Sequence, residues 1–185
     1  MTDSISRTSR IRLMLVLLVL LVGIDQASKW YALTNWVHLE KQPPQSYLHD
    51  TFRITFAWNE GAFLGLFDGQ PAHVRYAILV IGNGLLLAVV AVAILMVPMI
   101  DRWSYLAWAL VFAGGIGNLI DRIRFNAVID FLNLGIGPLR TGIFNVADMA
   151  ITAGFFMLIP KIFQREPKEA PASAVPAATA PGTPS

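Results

Sequence analysis

The chain has 185 residues, of which 55% are hydrophobic and only 14% are charged, and its mean hydropathy is +0.57. A soluble domain carries about 25% charged residues, so much of this protein's surface is expected to face lipid. The net charge is +2, and the sequence has no block of like charge, which argues against nucleic-acid binding. The lack of cysteine excludes disulfides, thiolate nucleophiles and thiolate metal sites.

Four apolar stretches approach the length of about 20 residues that a helix needs to cross a bilayer. They cover residues 11–33, 77–100, 103–122 and 143–162. An arginine cluster, Arg7, Arg10 and Arg12, marks the start of the first stretch, which could also be a cleavable signal peptide, but no small-x-small cleavage site follows it. We therefore expect an all-α polytopic membrane protein with four transmembrane helices.

Two segments between the spans alternate large apolar residues with smaller or polar ones, which is typical of strands. One runs from Phe52 to Trp58 within region 35–75, and the other from Val128 to Leu132 within region 123–142. They predict a small extracytoplasmic β-sheet on the outer face. Spans and sheet together form one membrane domain, residues 1–163, followed by a Pro/Ala-rich cytoplasmic tail, residues 164–185, that is predicted to be disordered.

The orientation in the membrane is predicted from the positions of the basic residues. Four spans put both termini on one side, and seven basic residues fall on each side, so the overall count gives no preference. The arginine cluster before the first span occupies the position that usually dominates. It favours cytoplasmic termini and an outer, periplasmic sheet.

A charged side chain at the bilayer centre costs about 2.5–3.5 kcal/mol of insertion free energy. Each polar residue in or beside a span is therefore a candidate functional residue. Five such clusters fall at the same predicted membrane face, at residues 25–29, 59–62, 114–122, 128–131 and 144–148. Helix ends are often polar, which explains Lys29 and Arg122 reaching the headgroups. It explains Asp148 poorly, because that residue is expected to lie at least one turn inside an apolar run.

Spacing within the clusters places several polar residues on shared helix faces. Asp25 and Lys29 are four apart, in the better order for an intrahelical ion pair. A direct catalytic role is the alternative, but we expect the two residues to brace the site. Asn118 and Arg122 are also four apart, with Asp121 beside them. The neighbouring glycines leave room for a substrate chain, or simply for helix packing.

Asp130 and Asp148 are the candidate catalytic pair. Asp130 lies in an extended, apolar segment, where poor hydration raises a carboxyl pKa, and a second carboxylate nearby raises it further. Two carboxyl groups that share one proton can hydrolyse a peptide bond: the ionised group takes a proton from water and the protonated group polarises the carbonyl. No metal or cofactor is expected.

Sequence motifs of several other enzyme classes are absent. The sequence has no His-Glu-x-x-His run, no Gly-x-Ser-x-Gly and no phosphate loop or dinucleotide fingerprint. A small ion or proton transporter is the main alternative, although a pathway needs polar groups through the full membrane thickness and the opposite half offers only Asn83. A non-catalytic scaffold would leave the membrane aspartate unexplained.

The five clusters together resemble lipoprotein signal peptidase, or signal peptidase II, from the first span to Ile159. The matching motifs are Asp25-Gln26-Ala27-Ser28-Lys29, Asn59-Glu60-Gly61-Ala62, Gly117 to Arg122, Val128-Ile129-Asp130-Phe131 and Phe144-Asn145-Val146-Ala147-Asp148. The chain departs from the family pattern at Phe63-Leu64 and at Asn126, where a glycine is common. Asparagine is the next best residue for a left-handed turn.

The resemblance implies a bacterial inner-membrane aspartyl peptidase that removes signal peptides from diacylglyceryl-modified prolipoproteins, cutting before the lipidated cysteine. It places catalysis on Asp130 and Asp148. It assigns substrate binding to Asn59, Gly61, Asn118, Arg122 and Asn145, and structural support to Asp25, Lys29 and Asp121. It also implies contact with membrane lipids and sensitivity to globomycin-type cyclic peptides, and we expect a monomer.

Overall fold

A computed structural model describes residues 6–61, 69–97 and 100–163. The helices are α1 (Arg7–Asn35), α2 (Ala72–Tyr76), α3 (Asn83–Met96), α4 (Arg102–Phe125) and α5 (Val146–Phe163). A π-helical segment, Ala77–Gly82, joins α2 and α3 into one continuous helix, Ala72–Met96, and a 3₁₀ helix spans Val37–Lys41. The strands are β1 (Gln45–Tyr47), β2 (Phe52–Asn59), β3 (Val128–Ile136) and β4 (Leu139–Arg140).

Three of the described helices are long and apolar enough to cross a membrane, namely α1, Ala72–Met96 and α4. Large side chains on α1 and α3, among them Val19, Leu85 and Val89, are at least 65% exposed. Lipid is the solvent that can cover such a surface. The predicted stretch 143–162 corresponds to α5, which begins at Val146.

The ends of the helices follow from local capping. The Ser6 hydroxyl accepts a hydrogen bond from the backbone N–H of Ser9, and the Asp101 carboxylate accepts one from that of Ser104, so each helix start gains a partner for an otherwise unpaired donor. Helix α4 ends at Phe125 and is capped by Asn126, whose φ of 56° is left-handed. The left-handed turn predicted at Asn126 is therefore confirmed, and it lets β3 begin at Val128.

The four strands form one antiparallel sheet in the order β1-β2-β3-β4. The two predicted strand segments lie in β2 and β3. Strands β1 and β4 were not predicted, because segments of three and two residues are too short to show an alternating pattern.

One face of the sheet packs on the end of α1. Ala32, Leu39, Phe56, Ile129 and Phe131 form a buried apolar cluster there. Because successive side chains of a strand point to opposite faces, Asp130 lies on the other side from Ile129 and Phe131. The apolar cluster thus fixes the direction in which the carboxyl group of Asp130 points.

Glycines let α4 approach its neighbours closely. A Cβ added to Gly117 would lie 2.6 Å from a carboxylate oxygen of Asp25 on α1, and one added to Gly154 of α5 would lie 2.5 Å from the carbonyl oxygen of Ala107. Small residues at such contacts allow tight packing of helices in membranes. The polar groups on these helices are therefore brought within hydrogen-bonding distance.

Candidate active site

Asp130 lies in the middle of the sheet and is only 2% exposed. It is paired with Ala57 across the β2–β3 ladder, beyond a register shift between Ile54 and Ala57. Asn59 lies two residues further along β2 and therefore reaches the same carboxyl group. Its side-chain nitrogen donates to Oδ2 of Asp130 at 2.9 Å.

Asp148 lies in the first turn of α5 and forms a reciprocal cap with Asn145. The backbone N–H of Asn145 donates to Oδ2 of Asp148 at 3.1 Å, and the backbone N–H of Asp148 donates to Oδ1 of Asn145 at 3.0 Å. This is the geometry of a capping box. The expectation that Asp148 lies deeper in a helix was wrong, because Phe144 is still bridged to Leu132 of β3 and the helix cannot begin earlier.

Two amide side chains connect the carboxyl groups. Asn145, which is fully buried, donates its side-chain nitrogen to Oδ1 of Asp130 at 2.6 Å. Asn118 donates its own to Oδ1 of Asp148 at 2.7 Å. The side-chain oxygen of Asn118 lies 3.1 Å from the side-chain nitrogen of Asn145. The two aspartates therefore belong to one continuous hydrogen-bond network.

Lys29 supports this network from α1. Its ammonium group lies 2.9 Å from Asp25, 3.0 Å from Asp121 and 2.9 Å from the side-chain oxygen of Asn118. These three contacts match the three N–H donors of a lysine. With its oxygen held by Lys29, the amide of Asn118 must present its nitrogen to Asp148.

Besides pairing with Lys29, Asp25 and Asp121 each hold a backbone N–H group of a neighbouring segment. Asp25 accepts a 2.8 Å hydrogen bond from the backbone N–H of Ala147, next to Asp148, and Asp121 accepts one of 3.1 Å from the N–H of Ile129, next to Asp130. Each buried carboxylate thus holds the chain one residue from a candidate catalytic aspartate.

Gln26 completes the support and was not among the predicted site residues. Its side-chain nitrogen lies 3.2 Å from Asp25, 3.0 Å from Asp121 and 3.2 Å from the carbonyl oxygen of Gly117. Its position inside the Asp25-to-Lys29 motif was the available signal. One helix turn of α1 therefore supplies three supporting side chains.

Arg122 and Gly61 lie at the edge of the network. The Arg122 guanidinium donates a long hydrogen bond of 3.4 Å to the Gly61 carbonyl and is attracted electrostatically by the nearby aspartates. It lines a cavity of about 150 Å³ together with Glu60 and Arg75, which form a 2.8 Å ion pair.

All ten predicted site residues therefore lie in one region, while Phe63 and Leu64 lie outside the described residues.

The environment of Asp130 disfavours a negative charge. Burial, together with the negative charge of Asp148, raises the pKa of Asp130 to about 7, against the opposing effect of the hydrogen bonds from Asn59 and Asn145. Asp130 can therefore carry a proton near neutral pH. Within the described ranges, no three His, Asp or Glu side chains lie close enough together to hold a metal ion.

A buried Asp130 and a half-buried Asp148, joined through Asn145 and Asn118 at the end of an apolar helix bundle, are what a membrane hydrolase of the aspartic type requires. Residues 17–164 match the sequence profile of the family described as signal peptidase (SPase) II. The chain belongs to the signal peptidase II family.

Individual relatives agree with this assignment. Proteins named lipoprotein signal peptidase are 34% identical over 149 residues in Desulforapulum autotrophicum, covering 80% of this chain and 90% of the relative, and 37% identical over 145 residues in Moorella thermoacetica, covering 78% and 88%. One from Sphingopyxis alaskensis is 33% identical over 175 residues, covering 94% and 98%.

The fold is shared with solved proteins. Two chains described as bacterial membrane enzymes, determined by the in meso method, superpose with TM-scores of 0.69 and 0.72 at 24% and 23% identity. The matches cover 82% and 90% of this chain and 88% and 99% of those chains.

Proposed function

We propose that this chain removes signal peptides from diacylglyceryl-modified prolipoproteins, cutting before the lipidated cysteine, with Asp130 and Asp148 as the catalytic pair. The observation that carries the proposal is the hydrogen-bond network through Asn145 and Asn118, which holds two carboxyl groups together at the end of a membrane-helix bundle. The family assignment and the names of the relatives support the same substrate class. They give no support to the ion or proton transporter.

The chemistry needs one ionised and one protonated carboxyl group. Asp130, whose pKa is raised, carries the proton and donates a hydrogen bond to the oxygen of the scissile carbonyl, while Asp148 takes a proton from the attacking water. The water oxygen bonds to the carbonyl carbon. The C–N bond then breaks as a proton passes to the departing amine, so the products are a free carboxyl group and an amine.

The surrounding polar residues take two roles in this proposal. Asn59, Asn145 and Asn118 orient the aspartates and contact the substrate backbone, and Gly61 and Arg122 line its path. The other residues, Asp25, Lys29 and Asp121, hold α1, α4, β3 and α5 in register. Membrane lipids and globomycin-type peptides are further ligands that this proposal assigns to the protein.

The proposed topology has four spans in one domain, residues 1–163, with both termini in the cytoplasm and the site near the periplasmic face of the inner membrane. Helix α5 has 18 residues, about 27 Å of helix, close to the hydrocarbon thickness of about 30 Å. The end of α1, the end of α4 and the start of α5 all meet the sheet, which supports one common side.

The native chain lacks cysteine, so single cysteines can test the topology directly. In intact spheroplasts, Ser46→Cys on β1 should react with an impermeant maleimide and Ser6→Cys should not until the membrane is opened. The reverse labelling pattern would contradict the proposed orientation.

The function itself is tested with purified protein and two forms of one precursor, with and without the diacylglyceryl group. Release of the signal peptide, located by mass spectrometry, is expected immediately before the modified cysteine. The unmodified precursor should be cut at least tenfold more slowly, because the lipid places the scissile bond at the site. Absence of cleavage of the modified precursor would overturn the proposal.

A further inference from the structure

We infer that Arg122 binds the carboxylate which hydrolysis creates, the new C-terminus of the released signal peptide. The inference rests on the proposed function, because only cleavage of a peptide produces that group at this place. The new carboxylate forms beside Asp130 and Asp148. Like charges in a buried site repel one another, so the product needs a nearby cation if it is to be held at all.

Arg122 offers an unused edge of its guanidinium group. Its Nε is buried and has no hydrogen-bond partner among the described residues, and its Nη2 has only the 3.4 Å contact to the Gly61 carbonyl. That distance is at the long limit for a hydrogen bond. Nε and Nη2 lie on the same edge of the guanidinium, whose spacing matches the two oxygens of a carboxylate.

The charge of Arg122 is held near the acidic residues without being paired to one of them. Asp148, Asp130 and Asp121 all attract it electrostatically, yet within the described part of the chain it makes no hydrogen bond or ion pair with any of the three. Asp121 is instead paired with Lys29, and the aspartates of the catalytic pair are held by asparagine amides. The positive charge therefore stays available to a carboxylate that arrives with the product.

The cavity beside Arg122 has room for a chain end. Its volume of about 150 Å³ is roughly ten times the 10–15 Å³ that one water molecule needs on the same scale, enough for a carboxylate and a small side chain. The acidic residue in its lining, Glu60, is already paired with Arg75 at 2.8 Å. Glu60 therefore does not compete with the product for Arg122.

The experiment compares two synthetic lipoprotein signal peptides that end at the residue before the cysteine, one with a free carboxylate and one with a C-terminal amide. Direct binding to the full-length protein in detergent micelles needs no turnover. The wild type should bind the acid at least about tenfold more tightly than the amide, the range expected for hydrogen bonds to a charged group. Equal affinities would overturn the inference.

Variants assign the effect to Arg122. In Arg122→Gln the preference for the acid should fall to within twofold, and Arg122→Lys, which keeps the charge but not the fork, should give an intermediate value. Arg124→Gln is the matched control, because Arg124 lies on the same helix turn, is exposed and stacks on Phe125 at 4.8 Å. It should keep the wild-type preference.

The two proposals fail in different ways. A preference that survives in Arg122→Gln, or in Arg122→Lys at full size if the glutamine variant does not fold, contradicts the role of Arg122 even when precursor cleavage is normal. A wild type that leaves the lipid-modified precursor uncut contradicts the proposed function, whatever the two product peptides do.

Discussion

The side-chain amide of Asn145 donates a 2.6 Å hydrogen bond to Oδ1 of Asp130. The backbone N–H of the same residue donates to Asp148 at 3.1 Å, as part of the cap of α5. Because one residue makes both contacts, the start of the helix sets the distance between the two carboxyl groups. A carboxylate at this position also stabilises the N-terminus of the helix.

Loss of the Asn145 side chain should therefore damage catalysis. Asn145→Ala removes the hydrogen bond to Asp130 and half of the cap, and hydrogen bonds to charged groups contribute about 1.5–3 kcal/mol each. We expect kcat/KM for the lipid-modified precursor to fall by at least about tenfold, the lower end of that range. Asn35→Ala, which removes an exposed amide at the end of α1, should leave the rate unchanged.

The rate should fall as the pH rises through about 7. The folded pKa of Asp130 is raised by burial and by the charge of Asp148, so its proton is present below about pH 7 and is lost above it. A plot of kcat/KM against pH should show this descending limb. In Asn59→Ala the limb should move to higher pH, because the lost hydrogen bond lowers the pKa of Asp130 in the wild type. A limb that stays in place, or moves to lower pH, would contradict this origin.

Replacement of Lys29 should destabilise the protein strongly. Lys29→Met leaves Asp25 and Asp121 buried without their cation, and breaking a buried ion pair costs about 3–5 kcal/mol. Thermal unfolding in detergent should show a large drop in midpoint. Lys161→Met is the matched control, since its 3.3 Å pair with Asp101 is partly exposed and should contribute about 1 kcal/mol or less. Equal effects of the two substitutions would contradict the central role of Lys29.

Gly117 should tolerate replacement by alanine far less well than Gly23. In Gly117→Ala the new Cβ would lie 2.6 Å from the Asp25 carboxylate, so that carboxylate must move and its contacts with Lys29 and the N–H of Ala147 are disturbed. Gly23→Ala on α1 meets nothing within 4 Å and, as an exchange of glycine for alanine inside a helix, should be neutral or slightly stabilising. Cleavage rates and thermal midpoints of the two variants provide the measurement. Similar behaviour of both would show that this close contact is not needed.

Much of the architecture was predictable because the membrane makes polar residues conspicuous. Helices α1 and α4 and the strands β2 and β3 follow from apolar length and from alternation. The ion pair of Asp25 and Lys29 followed from their spacing of four residues. The left-handed turn at Asn126 was expected because the family commonly has glycine there and asparagine is the next best residue for such a turn.

The features that the sequence did not predict depend on contacts between distant segments. The start of α5 at Val146 is set by the bridge between Phe144 and Leu132, and the role of Gln26 by two helices meeting at Gly117. No local pattern encodes either contact. The predicted disordered tail, residues 164–185, lies outside the described residues and stays a prediction.

Single-turnover cleavage of the lipid-modified precursor by matched aspartate-to-asparagine variants tests the catalytic pair most directly. Asp130→Asn and Asp148→Asn keep the shape of the side chain but cannot share a proton, so each should lower the rate by at least about a hundredfold. Asp101→Asn, at the N-cap of α4 where asparagine serves as well as aspartate, should cleave at the wild-type rate. Cleavage near the wild-type rate by either Asp130→Asn or Asp148→Asn would contradict the two-aspartate mechanism.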